Sequence, residues 1–163
     1  MLHQGTLAAM AAFPDRLEQF FEAVPAHRVR WAPASWEGVP SESLTVLEQL
    51  CHVRDIEIDG YQLRFRRLLN ELNPLLVAID GYPLVRQRGY AQADAAEVLA
   101  AFRAARLQTL ELLRGLGEEQ LQRQGIFEDY GPVTVTGLVH YLCSHDQQHL
   151  SGLQWLLGKM QQA

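Results

Sequence analysis

"TVTGLVHYLCSHDQQHLSGLQWLLGKM", residues 134–160, is the stretch that decides the fold. Thr134 is a residue type suited to capping a helix, and from Leu138 onward apolar residues recur at helical spacing. Leu138, Leu142, His145, His149, Leu153 and Leu156 follow one another in steps of four, three, four, four and three, the rhythm of a buried bundle face. A helix from Thr134 to Met160 has 27 residues and, at 1.5 Å per residue, a length of about 40 Å. A helix this long needs partners of comparable length to cover its apolar stripe, which points to helices packed on helices. The same stripe carries two histidines one turn apart, with leucines on either side along the axis.

Three more helical patterns supply those partners. The first covers about residues 4–24, where Leu17, Phe20, Phe21 and Val24 share a face; Pro14 either kinks this helix or opens a second segment. Pro25, Pro33 and Pro40 then mark a loop, which Trp31 and Trp36 pin to the body of the protein. The second helix begins at Ser41 or Ser43, where "SESL" resembles an N-cap, and ends at Asn73–Pro74. Leu44, Leu47, Cys51, Ile58, Phe65, Leu69 and Leu72 make its broad stripe, and His52, Ile56 and Leu63 a narrower second one. Two apolar faces imply neighbours on both sides.

Residues 73–92 are mixed, with "DGYP" a turn signal. A third helix spans Asp94 to Arg114, with Val98, Phe102, Leu107, Leu110 and Leu113 facing inward and Gly115 as C-cap. A short helix follows at 118–123, and "EDYGPV" reads as a turn before the last helix. No strand pattern competes. The expected fold is all-α, a four-helix up-down-up-down bundle with one or two long connections, formed by residues 1–163 as a single domain.

Composition excludes several function classes. The net charge of -5 speaks against a general nucleic-acid binder. Hydrophobic residues make up 48% and charged residues 20%, an ordinary balance for a globular chain. No apolar run approaches the roughly 20 residues needed to span a bilayer. Two cysteines, Cys51 and Cys143, are too few for a disulfide scaffold and form no CxxC motif. The N-terminal apolar run lacks a preceding basic cluster and reads as the first helix rather than a leader. The expectation is a cytoplasmic protein with no membrane and no nucleic-acid partner.

His145 and His149 need partners for their ring nitrogens inside a core. Either each hydrogen-bonds a Ser, Asp or backbone carbonyl, or a metal serves both, since neutral imidazole is a good ligand for zinc, nickel, copper or iron. Position 146 is Asp, so the pair is not the HExxH of zinc peptidases. His3 and His27 fall in weakly patterned segments, and His140 lies about 180° around the helix from His149. His52 remains, on the narrower stripe of the second helix; if the last helix is the neighbour there, His52 meets the pair across the core.

"LEQLCHVRDIEIDGYQLRFRRLL" (48–70) followed by "DYGPVTVTGLVHYLCSHDQQHLSGLQWLL" (129–157) resembles the DinB/YfiT-like superfamily, and specifically its DinB-like group. The resemblance implies a four-helix bundle with a long connection after the first helix and a metal held by three histidines. Its first ligand lies early on helix two and the others form an H-x3-H on the last helix, which carries onto His52, His145 and His149. The Trp31–Ser43 region, "GPVTV" and "HDQQHL" match the same pattern.

Three histidines without an evident fourth protein ligand leave coordination positions open, as in catalytic rather than structural sites. The resemblance implies a divalent ion, zinc or nickel foremost and iron or manganese next, and two kinds of activity on a small-molecule substrate. One is a thiol-dependent S-transferase using a low-molecular-weight thiol; the other is a hydrolase. A stress- or damage-related role fits either, and homodimers occur in the family. The alternative is a non-catalytic, stress-induced binding bundle with a structural or vestigial metal site. Asp55 is either an orienting carboxylate or a surface residue beside Arg54. Asp146 points about 100° away from His145, toward an interhelical or solvent contact. Tyr61, Arg64 and Arg67 either line the pocket mouth and hold an anion or form a solvated basic face.

Overall fold

The structure, a computed structural model, describes residues 1–162. In chain order it comprises α1 (Gln4–Glu22), α2 (Val46–Asp55), a π-helical segment (Ile56–Gln62), α3 (Leu63–Asn70), β1 (Leu75–Leu76) and α4 (Gly81–Gln87). These are followed by α5 (Ala95–Arg114), α6 (Glu118–Leu121), β2 (Gln124–Phe127), β3 (Gly131–Thr134) and α7 (Val135–Met160). The segment 46–70 is one unbroken helical run, so four long helices make the bundle.

The principal neighbours of α1 are α5 and α7, and α2 also packs on α5 and α7. Helices α1 and α2, consecutive in sequence, therefore sit across the bundle from each other, joined by the long 23–45 connection. That connection is fastened to α7 at two places. Trp36 stacks on Trp155 with ring centroids 6.0 Å apart, and Arg28 donates to the Met160 carbonyl at 2.8 Å.

Local chemistry explains the helix starts. Thr45, not Ser41 or Ser43, caps α2: its hydroxyl accepts from the Glu48 N–H while Glu48 Oε2 accepts from the Thr45 N–H, a full capping box. Thr134 caps α7 through the Gly137 N–H, and Asp94 caps α5 through the Glu97 N–H. "DGYP" is a helix start rather than a simple turn, because Asp80 accepts from the Tyr82 N–H and opens α4. Pro14 is buried inside α1, which continues through it.

Two expectations about α2–α3 and one about α5 are corrected. Leu63 and Leu72 were expected on the apolar stripes of a helix ending at Asn73–Pro74 but are 46% and 97% exposed. α3 ends at Asn70, so Leu72 lies beyond it, and the exposure of Leu63 has a separate cause. The π-helical turn inserts one extra residue per turn, rotating everything after it by about 100° relative to a regular helix. Tyr61, Arg64 and Leu68 turn inward, and Phe65 keeps the inward place expected of it. On α5, Leu107 is exposed and its neighbour Arg106 is the buried residue.

Strands are present where none were expected. β1 pairs parallel with β2, and β2 pairs antiparallel with β3 in a hairpin whose tip contains Asp129 in the left-handed region (φ 66). Strands of two to four residues are too short for alternation to register against the helical background. Of "EDYGPV", only Glu128, Asp129 and Tyr130 form the turn of this hairpin; Gly131, Pro132 and Val133 belong to β3. Gly125 on β2 permits a close approach, since a Cβ there would lie 2.8 Å from both Leu68 Cδ2 and the Pro74 carbonyl oxygen.

The apolar core is split by a polar layer. One cluster contains Met10, Phe65, Leu138 and Leu142; the other contains Phe13, Leu50, Leu153 and Leu156. Between them lies Arg106, fully buried, with all five guanidinium N–H groups committed. Nε and Nη2 donate to Glu57 at 3.1 and 2.9 Å, Nη1 and Nη2 to Asp146 at 2.7 and 2.9 Å, and Nη1 to the Met10 carbonyl at 3.1 Å. Thr109 also donates to Glu57 at 2.6 Å. Asp146 thus makes the interhelical contact its direction suggested, and four helical segments meet at one cation. Replacing Arg106 by Met leaves two buried carboxylates uncompensated, and urea unfolding should show a loss of about 3–5 kcal/mol; a loss below about 1 kcal/mol contradicts this role.

Candidate metal centre

α2 runs antiparallel to α7, so Gln49 meets His149 and His52 meets His145. His52 and His149 are buried, and His145 keeps one edge open. Their Nε2 atoms converge. His145 Nε2 lies 3.3 Å from His52 Nε2 and 3.2 Å from His149 Nε2. The structure therefore brings the three sequence-selected histidines together, and it adds a fourth group. Glu42, from the connection before α2, places Oε2 3.3 Å from His149 Nε2 and Oε1 3.7 Å from His52 Nε2. Donor atoms of all four residues lie within 4.8 Å of one another.

The tautomer of His149 follows from its other nitrogen. Gln49 Nε2 donates to the Leu44 carbonyl, which turns Gln49 Oε1 toward His149 Nδ1 at 3.2 Å. Nδ1 must then carry the proton, leaving a lone pair on Nε2. That lone pair faces Glu42 Oε2, a buried oxygen with no hydrogen-bond partner. Two electron-rich atoms 3.3 Å apart with no proton between them repel unless a cation lies between. A tetrahedral zinc ion with bonds of 2.0–2.1 Å has ligand–ligand edges of about 3.3–3.4 Å, close to three of the four spacings above, the fourth being 3.7 Å. The donor set fits a divalent ion.

Two glycines make room for this arrangement. A Cβ at Gly152 of α7 would overlap Ser41 Oγ and lie 3.0 Å from Gln49 Oε1, so only glycine lets the 41–42 segment seat against α7. A Cβ at Gly81 would lie 2.5 Å from His52 Nδ1, so α4 closes over that imidazole. His52 Nδ1 itself is buried without a partner.

Electrostatics keep the imidazoles neutral and ready to ligate. Burial, then the neighbouring His52, Arg106 and Arg64, pushes His145 down to about 3. Burial followed by its two histidine neighbours holds His149 well below the ordinary range. His52 is lowered by burial, partly offset by Glu42 and Asp55.

The cluster opens onto a pocket of about 220 Å³. Gln148 and Arg64 join the donors on its polar side, and Ile56, Tyr61, Ile79, Phe127 and Tyr130 line the other. A larger depression along α4, about 480 Å³ and lined by Tyr82, Val85 and Arg86, contains none of the donors.

Several residues expected near the site lie elsewhere. Arg67 does not line the pocket; it pairs with Glu71 and the Leu75 carbonyl. Asp55 is neither a ligand nor a surface residue. Burial raises its pKa, but hydrogen bonds from Arg54 and Tyr90 outweigh this and hold it below the ordinary carboxylate range. Cys51 is a buried thiol pushed up to about 11 by burial, and His3, His27 and His140 are exposed. Glu42 and Gln49 were missed. Glu42 sits in an aperiodic stretch where only its place beside a helix start was legible, and Gln49 falls at a helical position that any neutral residue could occupy.

Facing helices that aim three imidazoles and a carboxylate at one point define a four-helix bundle with an internal candidate metal centre. The chain belongs to the DinB superfamily, whose profile matches residues 9–152. Among solved structures it is similar to YfiT from Bacillus subtilis, described as a probable metal-dependent hydrolase with an unusual four-helix bundle topology. The TM-score is 0.83 at 20% identity, over 98% of this chain and 90% of that one. No curated protein matches the chain.

Depressed imidazole pKa values have a consequence for the metal-free protein. A histidine titrating near 6.5 when unfolded but near 3 when folded, as at His145, takes up a proton on unfolding between those values. Stability is therefore lost as the pH falls below about 6.5. Thermal melts of metal-free protein should show Tm falling from pH 7.5 to 5, with a shallower slope in His145→Gln. Identical slopes in the two proteins would contradict this placement.

Proposed function

We propose that this protein is a metal-dependent enzyme in which His52, His145, His149 and Glu42 hold one divalent ion, zinc or nickel foremost, at the floor of the pocket. The observation that carries the reading is the unprotonated contact between His149 Nε2 and Glu42 Oε2 beside an open cavity. Glu42 as a fourth protein ligand closes a tetrahedral set, which by itself favours a structural site. However, His52, His145 and Glu42 all border the pocket, so a substrate atom can enter as a fifth ligand or in place of Glu42. Bound there, the ion supplies Lewis acidity, which polarises a carbonyl and lowers the pKa of water or a thiol. Gln49 fixes the His149 proton on Nδ1, Gly152 seats Glu42, and the apolar wall limits water around the reacting group.

Hydrolysis of a small substrate is the activity supported by the likeness to YfiT. Transfer to a low-molecular-weight thiol is the second reading, and one feature favours it. Besides Glu42 and the histidines, the titratable groups lining the pocket are Tyr61, Arg64 and Tyr130. Burial raises the Tyr61 pKa further. No carboxylate or imidazole beyond the donors lines the pocket as a base among the described residues. A thiol, with a free pKa of about 8.5, needs a far smaller push from the ion to ionise than water at about 15.7.

Protein purified without a polyhistidine tag should take up about one equivalent of zinc or nickel, and His149→Ala should lose it. Uptake below about a tenth of an equivalent by wild type contradicts the metal reading. Screening the loaded protein against activated esters, and against electrophiles with added thiols, should give turnover that His149→Ala and chelation abolish. Full metal loading with no turnover in either screen favours a non-catalytic bundle.

A further inference from the structure

Among the described residues two arginines are buried, and their charges are handled differently. Arg106 is neutralised by Glu57 and Asp146. Arg64, 5% exposed, has no carboxylate within ion-pair distance among the described residues. Its Nε and Nη2 donate to one backbone carbonyl, that of Val77, at 3.3 and 2.9 Å. Its guanidinium lies over the rings of Phe127 and Tyr61, at 4.6 and 5.2 Å from their centroids. These contacts hold the group in place without cancelling its charge, and burial lowers its pKa.

The uncancelled charge faces the pocket. Arg64 lines the same cavity as His52, His145 and Glu42, and it is near enough to His145 to disfavour that ring's protonation. With the Nε–Nη2 edge turned to Val77, the Nη1–Nη2 edge is the one left for a ligand, and Nη1 has no acceptor among the described residues. Gly60 leaves space for it, since a Cβ there would lie 3.0 Å from Nη1. That edge matches the planar, two-oxygen geometry of a carboxylate.

Charge balance points the same way. Among the described residues Glu42 is the sole acid lining the pocket. One carboxylate cannot neutralise both a divalent ion and a buried guanidinium, so the loaded pocket carries excess positive charge that an anion would relieve. The cavity, about 220 Å³, is smaller than the range of about 300–1,000 Å³ that suits drug-sized ligands. Phe127 and Tyr130, stacked with centroids 4.6 Å apart, give it a flat aromatic wall.

Resting on the metal reading above, we propose that the substrate is a small organic acid, its carboxylate paired with Arg64 while its reacting group reaches the His/Glu cluster. Arg64 is then a specificity-determining residue and not only a packing element of the β1–α4 connection.

The test uses cobalt-loaded full-length protein and two rigid thiols of the same shape, 3-mercaptobenzoate and its uncharged counterpart 3-mercaptobenzamide. The ring keeps the carboxylate from reaching the ion that takes the sulfur. Binding is read from the thiolate–cobalt absorption under anaerobic conditions. The wild type should bind the acid at least about tenfold more tightly than the amide, the scale expected of one charge-assisted, bidentate pair. In Arg64→Gln the preference should shrink to within about threefold, with Arg64→Lys between. Equal affinity of the wild type for the two thiols overturns the proposal and needs no variant to fold. A preference that persists in folded Arg64→Gln also overturns it. Absence of cobalt bands in the wild type is a separate result, which overturns the metal reading and this one with it.

Discussion

Arg106 reaches from α5 to the Met10 carbonyl on α1, to Glu57 in the π-helical segment and to Asp146 on α7, and it has no N–H to spare. A buried guanidinium with two buried carboxylates is worth little as net stability, but removing one member leaves uncompensated charge. The network therefore acts on register more than on stability. Sliding α2 or α7 by one residue would strand Glu57 or Asp146 in an apolar core. Asp146 is next to His145, and Glu57 lies five residues after His52, so the same constraint that aligns the helices also aligns the imidazoles.

The polar layer follows from that alignment. Leu142 and Leu153 of α7 belong to separate apolar clusters, and His145 and His149 sit between them. An unpartnered polar layer through a small core costs free energy at every group. The layer is tolerable because Arg106 satisfies one half and, on the proposed reading, a divalent ion satisfies the other. The π-helical turn fits this picture, since it rotates Tyr61 and Arg64 inward to line the pocket. A regular helix would have turned Leu63 toward the core and left the pocket without its cation.

Much of this was legible in the sequence. The last helix was readable nearly to the residue, because a leucine stripe with a threonine cap leaves little choice. Assembling His52 with His145 and His149 drew on helical phase and on the family resemblance together. The hairpin was not readable, since its strands are shorter than the period that would reveal them. That Tyr61 and Arg64 line the pocket was one of two readings the sequence left open, and the choice between them rested on a π-turn, which leaves no mark on residue periodicity except a failure of it. Glu42 was hidden for another reason: its position is set by tertiary contacts, with Ser41 against Gly152 and Ser43 donating to the Tyr82 hydroxyl. Arg106 did carry a signal, lying four residues after Phe102 on the inward face, although hydrophobicity alone selects Leu107.

The central claim is that a divalent ion is held by imidazole nitrogen and carboxylate oxygen, with neither cysteine taking part. X-ray absorption at the metal edge of zinc-loaded protein tests it most directly. The account predicts a first shell of nitrogen and oxygen only, with outer-shell scattering from three imidazoles. A sulfur shell from Cys51 or Cys143, or a shell of oxygen without imidazole scattering, would contradict it.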